Sequence, residues 1–150
     1  MFNRTIIHEL KQWKDSKDRK PLMMLGARQV GKTSVLKKFG EDCFDHCAYF
    51  SLDEEEGVCD IFRKTKNPLQ IIEQLSYLTS EPILPHHTLL ILDEIQDCPE
   101  AISAMKYFCE KTPEYAVACA GSGLFAEIFH GTNGFRTILY LIKDKQSLMR

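Results

Sequence analysis

Three observations predict a three-layer α/β fold, with a parallel sheet between layers of helices. The first is the apolar run Pro21-Leu22-Met23-Met24-Leu25, followed by a glycine-flanked loop and a helical pattern from Ser34 to Phe39. The second is Thr88-Leu89-Leu90-Ile91-Leu92, an almost continuous aliphatic run that ends in Asp93-Glu94. The third is Ala116-Val117-Ala118-Cys119-Ala120, which ends in Gly121-Ser122-Gly123. Continuous apolar runs mark strands buried on both faces, as in a parallel sheet covered by helices. A chain of 150 residues suits one domain with one core.

The other elements follow in order. Ile6, Leu10 and Trp13, with Ile7 alongside, recur at helical spacing and predict an amphipathic helix packed on the core. Lys11, Lys14, Lys17, Arg19 and Lys20 are interrupted by Asp15 and Asp18, which reads as a solvated face and a polar linker. Val35, Leu36 and Phe39 share one side of the helix after the glycine loop, with Gly40 as its expected stop. Cys47 to Leu52 predicts the second strand. Ser51 and Glu54 have capping-box spacing, so Asp53-Glu54-Glu55-Glu56 reads as helix initiation. Asn67-Pro68 opens another helix, expected to be buried on two faces by Leu69 and Ile72 and by Ile71, Leu75 and Leu78. Asp97, Pro99 and Glu100 open a helix carrying Ile102, Met105, Phe108 and Cys109. Thr137 to Ile142 is the expected fifth strand. The domain division is a helix and linker over 1–20, a core over 21–142 and a polar tail over 143–150.

The glycine loop carries the chemistry. Gly26-Ala27-Arg28-Gln29-Val30-Gly31-Lys32-Thr33 fits the phosphate-binding pattern G-x-x-x-x-G-K-[ST]. Its glycines let successive N–H groups turn towards a phosphate, and the helix N-terminus beyond favours an anion. Gly26 through Ser34 are therefore the expected ATP-binding residues. Lys32 adds charge for the β- and γ-phosphates, and the Thr33 hydroxyl suits Mg²⁺. Asp93 and Glu94 fall at the C-terminal edge of a strand, where open α/β sheets bind ligands. Neighbours on a strand point oppositely, so the two carboxylates have separate tasks. Asp93 is expected in the Mg²⁺ shell and Glu94 as the general base that polarises the attacking water. Ser122 ends the next strand, in reach of the γ-phosphate or the lytic water, against the alternative of a plain Gly-Ser-Gly turn.

With these residues in hand, the chain resembles the prokaryotic AAA+-type ATPases. Their phosphate loop reads G-x-R-Q-V-G-K-T and their Walker B strand ends Asp-Glu-Ile-Gln, here Gly26 to Thr33 and Asp93-Glu94-Ile95-Gln96. The N-terminal helix, Tyr49-Phe50-Ser51-Leu52-Asp53 and Ala120-Gly121-Ser122 match in order, so the resemblance covers residues 2–122. It implies a P-loop NTPase sheet in the order 5-1-4-3-2, ATP with Mg²⁺, and hydrolysis coupled to conformational change. It implies Asp93 as the Walker B acid, Glu94 as catalytic base, and Lys32 and Ser122 (sensor-1-like) beside them. Such proteins continue into a helical lid and C-terminal domains, which are absent here. Residues 123–150 depart from the pattern. Arg28, Arg63 and Arg136 are the candidates for an arginine finger or second sensor, with no geometry to choose among them.

A net charge of −2 gives no global basic field for nucleic acid, and no apolar run is long enough to span a bilayer. Met1-Phe2-Asn3-Arg4 leads into an amphipathic pattern, unlike a secretory signal. With a nucleotide loop and no signal, the six cysteines are expected to be reduced thiols in a cytoplasmic protein. Cys43, His46 and Cys47 have no second cysteine pair at zinc spacing, and His86-His87 reads as a solvated turn.

The leading expectation is an Mg²⁺-dependent ATPase core, a truncated or frame-shifted copy of a longer protein. On its own it would be weakly active and prone to self-association. The alternative is a nucleotide-dependent switch with little hydrolysis. Glu94 favours the first, and the missing lid favours the second. A small-molecule kinase would need an acceptor pocket and mobile arginines, for which no motif is present. No feature names a client, whether protein or nucleic acid.

Overall fold

A computed structural model describes residues 4–26, 31–122 and 135–139. Five strands form one sheet: β1 (Leu22–Gly26), β2 (His46–Ser51), β3 (Thr88–Asp93), β4 (Ala116–Ser122) and β5 (Arg136–Leu139). The order is β2-β3-β4-β1-β5, and every pairing is parallel. This is the expected 5-1-4-3-2 order, read from the other edge. The helices are α1 (Arg4–Asp15), α2 (Lys32–Cys43), α3 (Glu56–Lys64), α4 (Pro68–Ser76) and α5 (Pro99–Lys111).

The period-2 alternation of the strands divides the core into two halves. On one face Leu89 and Ile91 of β3, Leu22 and Met24 of β1 and Ala118 of β4 pack with α1 and α2 through Ile6, Leu10, Trp13, Val35, Leu36 and Phe39. On the other face Leu90 and Leu92, Met23 and Leu25, and Val117 and Cys119 pack with α3, α4 and α5 through Phe62, Ile71, Leu75, Met105 and Phe108. The sheet is therefore the middle of three layers, as predicted.

Local expectations were corrected in several places. Gly40 does not stop its helix: α2 runs on to Cys43 with Gly40 buried inside it. A Cβ built there would lie 2.7 Å from Cys47 Sγ and 3.2 Å from Leu89, so the glycine permits close approach of helix and sheet. The capping interaction is shifted by one residue. Glu55, not Glu54, accepts from the Ser51 N–H at 2.8 Å, and α3 begins at Glu56. Asn67 does cap α4, accepting from the Leu69 N–H, with Pro68 in the first turn. That helix buries one face only: Ile71, Ile72 and Leu75 are inside and Leu69 is exposed, while Leu78 falls in the turn beyond the helix and is exposed too. β5 spans Arg136–Leu139, starting one residue early, and residues 140–150, including the expected polar tail, lie outside the described residues.

The basic stretch after α1 is not all solvated. The Arg19 guanidinium is half-buried and donates to the carbonyls of Lys14, Pro113 and Glu114, tying the end of α1 to the segment before β4. The cysteines are not all reduced either. Cys59 and Cys98 form a disulfide, whereas Cys43, Cys47, Cys109 and Cys119 are free. The fold brings α3 against the entrance of α5, a juxtaposition that sequence spacing does not reveal.

Candidate functional site

The site forms where β1 and β3 end and α2 begins. Gly31 takes φ 98°, the left-handed region that glycine tolerates, and turns the chain into α2. Lys32 and Thr33 occupy the first turn of that helix. Lys32 is only 6% exposed, and its ammonium donates to the Gly26 carbonyl at 2.8 Å. The lysine of the motif thereby reaches back to its first glycine across the loop. Ala27, Arg28, Gln29 and Val30 lie outside the described residues.

Asp93 is the last residue of β3 and has the parity of Leu89 and Ile91, so its carboxylate faces the α2 layer. It is 6% exposed and well supplied with donors. The Thr33 hydroxyl donates to Oδ2 at 2.5 Å, the Tyr49 hydroxyl donates to the same oxygen at 2.6 Å, and the Glu94 N–H donates to Oδ1 at 2.9 Å. The phosphate loop and the acidic strand end, 60 residues apart in sequence, thus meet at one oxygen. Burial, and then the bond to Asp93, push the Tyr49 phenol well above its ordinary value, so it stays a donor at neutral pH.

Glu94 does not point away from Asp93 by strand alternation, as expected. It leaves the strand in a left-handed conformation, φ 51° and ψ 48°, and starts a single 3-10 turn, Ile95–Asp97. A non-glycine residue there carries backbone strain of a kind that clusters at functional sites. Gln96 in that turn donates to Glu94 Oε1 at 2.9 Å and accepts from the Ser122 N–H at 3.4 Å. Ser122 sits in register with Gly26, beside the start of the phosphate loop, and ends β4 in strand conformation.

Gly31, Lys32, Thr33, Ser34, Asp93 and Glu94 line one open depression of about 300 Å³. Ser122 is not in the lining; its backbone N–H reaches the Gln96 amide, which in turn holds Glu94. No described arginine candidate joins the lining: Arg63 on α3 pairs with Asp60 at 2.8 Å, and Arg136 pairs in register with Leu22, at the end of β1 away from the site. Arg28 is outside the described residues. Sequence reasoning missed Tyr49 and gave Gln96 no role. Register would have found the first, because Ser51 lies opposite Asp93 and Tyr49 is two residues back on the same face.

Among the described residues Cys59, Cys98 and Glu100 converge, but the two sulfurs are joined as a disulfide and offer no thiolate to a metal; Cys43, His46 and Cys47 form no such group. No helix among the described residues is long and apolar enough to cross a membrane.

No curated protein matches the sequence. The solved structure of PCH-2 from C. elegans is similar in fold, with a TM-score of 0.50 and 12% identity, over 93% of this chain and 44% of that one. The chain therefore spans less than half the length of that relative. Residues 18–131 match the family model described as an AAA domain, more than half of the 150 residues, and the chain belongs to that family, as a nucleotide-binding core of ATPase type.

Proposed function

We propose that the chain is an Mg²⁺-dependent ATP hydrolase core, of the kind found in the prokaryotic AAA+-type ATPases, organised over residues 21–142. The observation that carries the reading is the Thr33–Asp93 contact of 2.5 Å. A hydroxyl and a carboxylate oxygen converge beside a phosphate loop, and oxygen ligands of this hardness suit Mg²⁺. In this reading Gly26 to Ser34 wrap the phosphates, and Lys32 neutralises the β- and γ-oxygens. Thr33 and Asp93 hold the metal ion, which when bound offsets charge on the transferring phosphoryl group. Glu94 takes the proton of the attacking water, and Ser122 senses the γ-phosphate end of the site.

An arginine from a lid or neighbour contributes about 10³–10⁵ in rate in related chemistry. None lines the depression among the described residues, and Arg28 of the phosphate loop lies outside them, so slow turnover by the isolated chain stands as an expectation for steady-state phosphate release to test. Leu69, Tyr77, Leu78 and Leu84 are exposed and support self-association, which light scattering against concentration tests. The cytoplasmic reading rests on the nucleotide loop and the absence of a signal-like pattern, and the Cys59–Cys98 disulfide counts against the reduced thiols expected with it.

Two variants test the reading. Lys32→Ala weakens ATP binding about 10–100-fold in calorimetric titration, the worth of a charge-assisted contact, with circular dichroism unchanged. Glu94→Gln keeps binding but lowers phosphate release about 10²–10⁴-fold. Unchanged affinity in the first variant overturns the phosphate-loop assignment. Full turnover in the second returns Glu94 to a structural role. Phosphate release that requires an added acceptor would indicate a kinase.

A further inference from the structure

We propose that Tyr49 is a positioning residue for Asp93, fixing from the neighbouring strand the carboxylate that holds the nucleotide's metal ion. The inference rests on the nucleotide reading given above and deepens it. Asp93 Oδ2 accepts from two hydroxyls, Thr33 at 2.5 Å and Tyr49 at 2.6 Å. Thr33 arrives from α2 and is itself a proposed ligand. Tyr49 arrives from β2 and touches the site through this one oxygen.

The geometry separates this contact from ordinary core packing. Tyr49 is partly buried at the edge of the α2-side core, on the edge strand β2, two residues before the position that faces Asp93. It donates to Asp93 diagonally across the β2–β3 pair in which Ser51 faces Asp93. The ring is held from the other side as well: Lys37 Nζ on α2 lies 3.9 Å from its centroid, a cation–π distance. The helix that carries Thr33 therefore also braces the residue that braces Asp93. Without the phenol, Asp93 keeps Thr33 on Oδ2 and the Glu94 N–H on Oδ1, and loses the donor that comes from the neighbouring strand β2. Partners of this kind, one bond removed from a metal, typically change metal affinity about 10–100-fold when removed.

The test separates metal binding from nucleotide binding. Mn²⁺ is titrated into the full chain with ATP present, and free ion is followed by electron paramagnetic resonance. ATP affinity is measured separately in EDTA. Tyr49→Phe is expected to weaken Mn²⁺ by at least about 10-fold, with a much smaller loss in EDTA. In an Asp93→Ala background the same change is expected to add nothing, because the accepting oxygen is gone. Equal losses with and without metal, or a full extra loss beside Asp93→Ala, would reduce Tyr49 to a packing residue and overturn the inference. Wild-type chain that binds no ATP under either condition overturns the nucleotide reading, and this inference with it. If Tyr49→Phe does not fold by circular dichroism, Lys37→Ala replaces it. That variant removes an exposed side chain, loosens the ring, and is expected to move Mn²⁺ affinity in the same direction.

Discussion

Cys59 on α3 and Cys98 at the entrance to α5 are joined by a disulfide across 39 residues of chain. The closed segment contains α4 and β3, hence the acidic end of the site. Both cysteines are buried, Cys98 completely. Glu100 Oε1 stands 3.9 Å from Cys59 Sγ and 3.7 Å from Cys98 Sγ, so a carboxylate would face both thiols once they were reduced.

The first prediction concerns this bond. Closing a loop of this length removes about 4 kcal/mol of chain entropy from the unfolded state in the simplest treatment. Reduction is therefore expected to lower the urea midpoint substantially. The measurement is equilibrium unfolding with and without dithiothreitol, incubated long enough for transient opening to expose the sulfurs. The variant with both Cys59→Ser and Cys98→Ser should unfold at the reduced wild-type midpoint and ignore the reductant. A wild-type midpoint that does not move would show that the bond contributes nothing to stability.

The second prediction concerns Gly40. Alanine in a helix interior gains about 0.5–1 kcal/mol over glycine. At this position the added methyl meets Cys47 Sγ at 2.7 Å and both Cys47 Cβ and Leu89 Cδ2 at 3.2 Å. Overpacking of this kind costs about 1–3 kcal/mol, so the clash wins and Gly40→Ala is expected to destabilise. The check is a double-mutant cycle. In a Cys47→Ala background, where the sulfur is gone, Gly40→Ala should cost less or become favourable. Equal costs in both backgrounds would place the strain elsewhere.

Gly40 also shows what the sequence conceals. Glycine after Phe39 is as good a helix stop as it is a contact point, and only the distance to β2 decides between them. The layers themselves were legible because continuous apolar runs and helical stripes are local patterns. Strand order came from the resemblance, and the pairings agree with it. At the site, Thr33, Asp93 and Glu94 were legible because each belongs to a short pattern. Tyr49 and Cys59 were not, because their partners lie 44 and 39 residues away and nothing in their own neighbourhoods names them. The separation of Asp93 from Glu94 was expected from strand alternation, yet it arises from a left-handed turn. Such a conformation at a glutamate has no local signature.

That turn underlies the last prediction. The Gln96 amide can satisfy both of its contacts in one orientation only. Its NH₂ must donate to the Glu94 carboxylate at 2.9 Å, and its oxygen must accept from the Ser122 N–H at 3.4 Å. Flipping the amide would set oxygen against carboxylate and N–H against N–H. Gln96 thus links the proposed base to the end of β4, which is itself in register with the first glycine of the phosphate loop. If Glu94 activates water, its aim depends on this link, and small misplacements of a reacting group cost up to about 10²-fold in rate. Gln96→Ala is therefore expected to lower kcat by about 10–10²-fold with little change in KM, because the side chain touches the base and not the phosphates. Gln96→Glu removes the donor and sets a second carboxylate against the Glu94 oxygen that the amide bonded, so it should lower kcat further than Gln96→Ala. In a Glu94→Gln background neither change should matter further. Phosphate release by single and double variants, each at saturating and limiting ATP, provides the readout. A Gln96→Ala enzyme with wild-type kcat would show that Glu94 holds its position without help, through its own left-handed backbone.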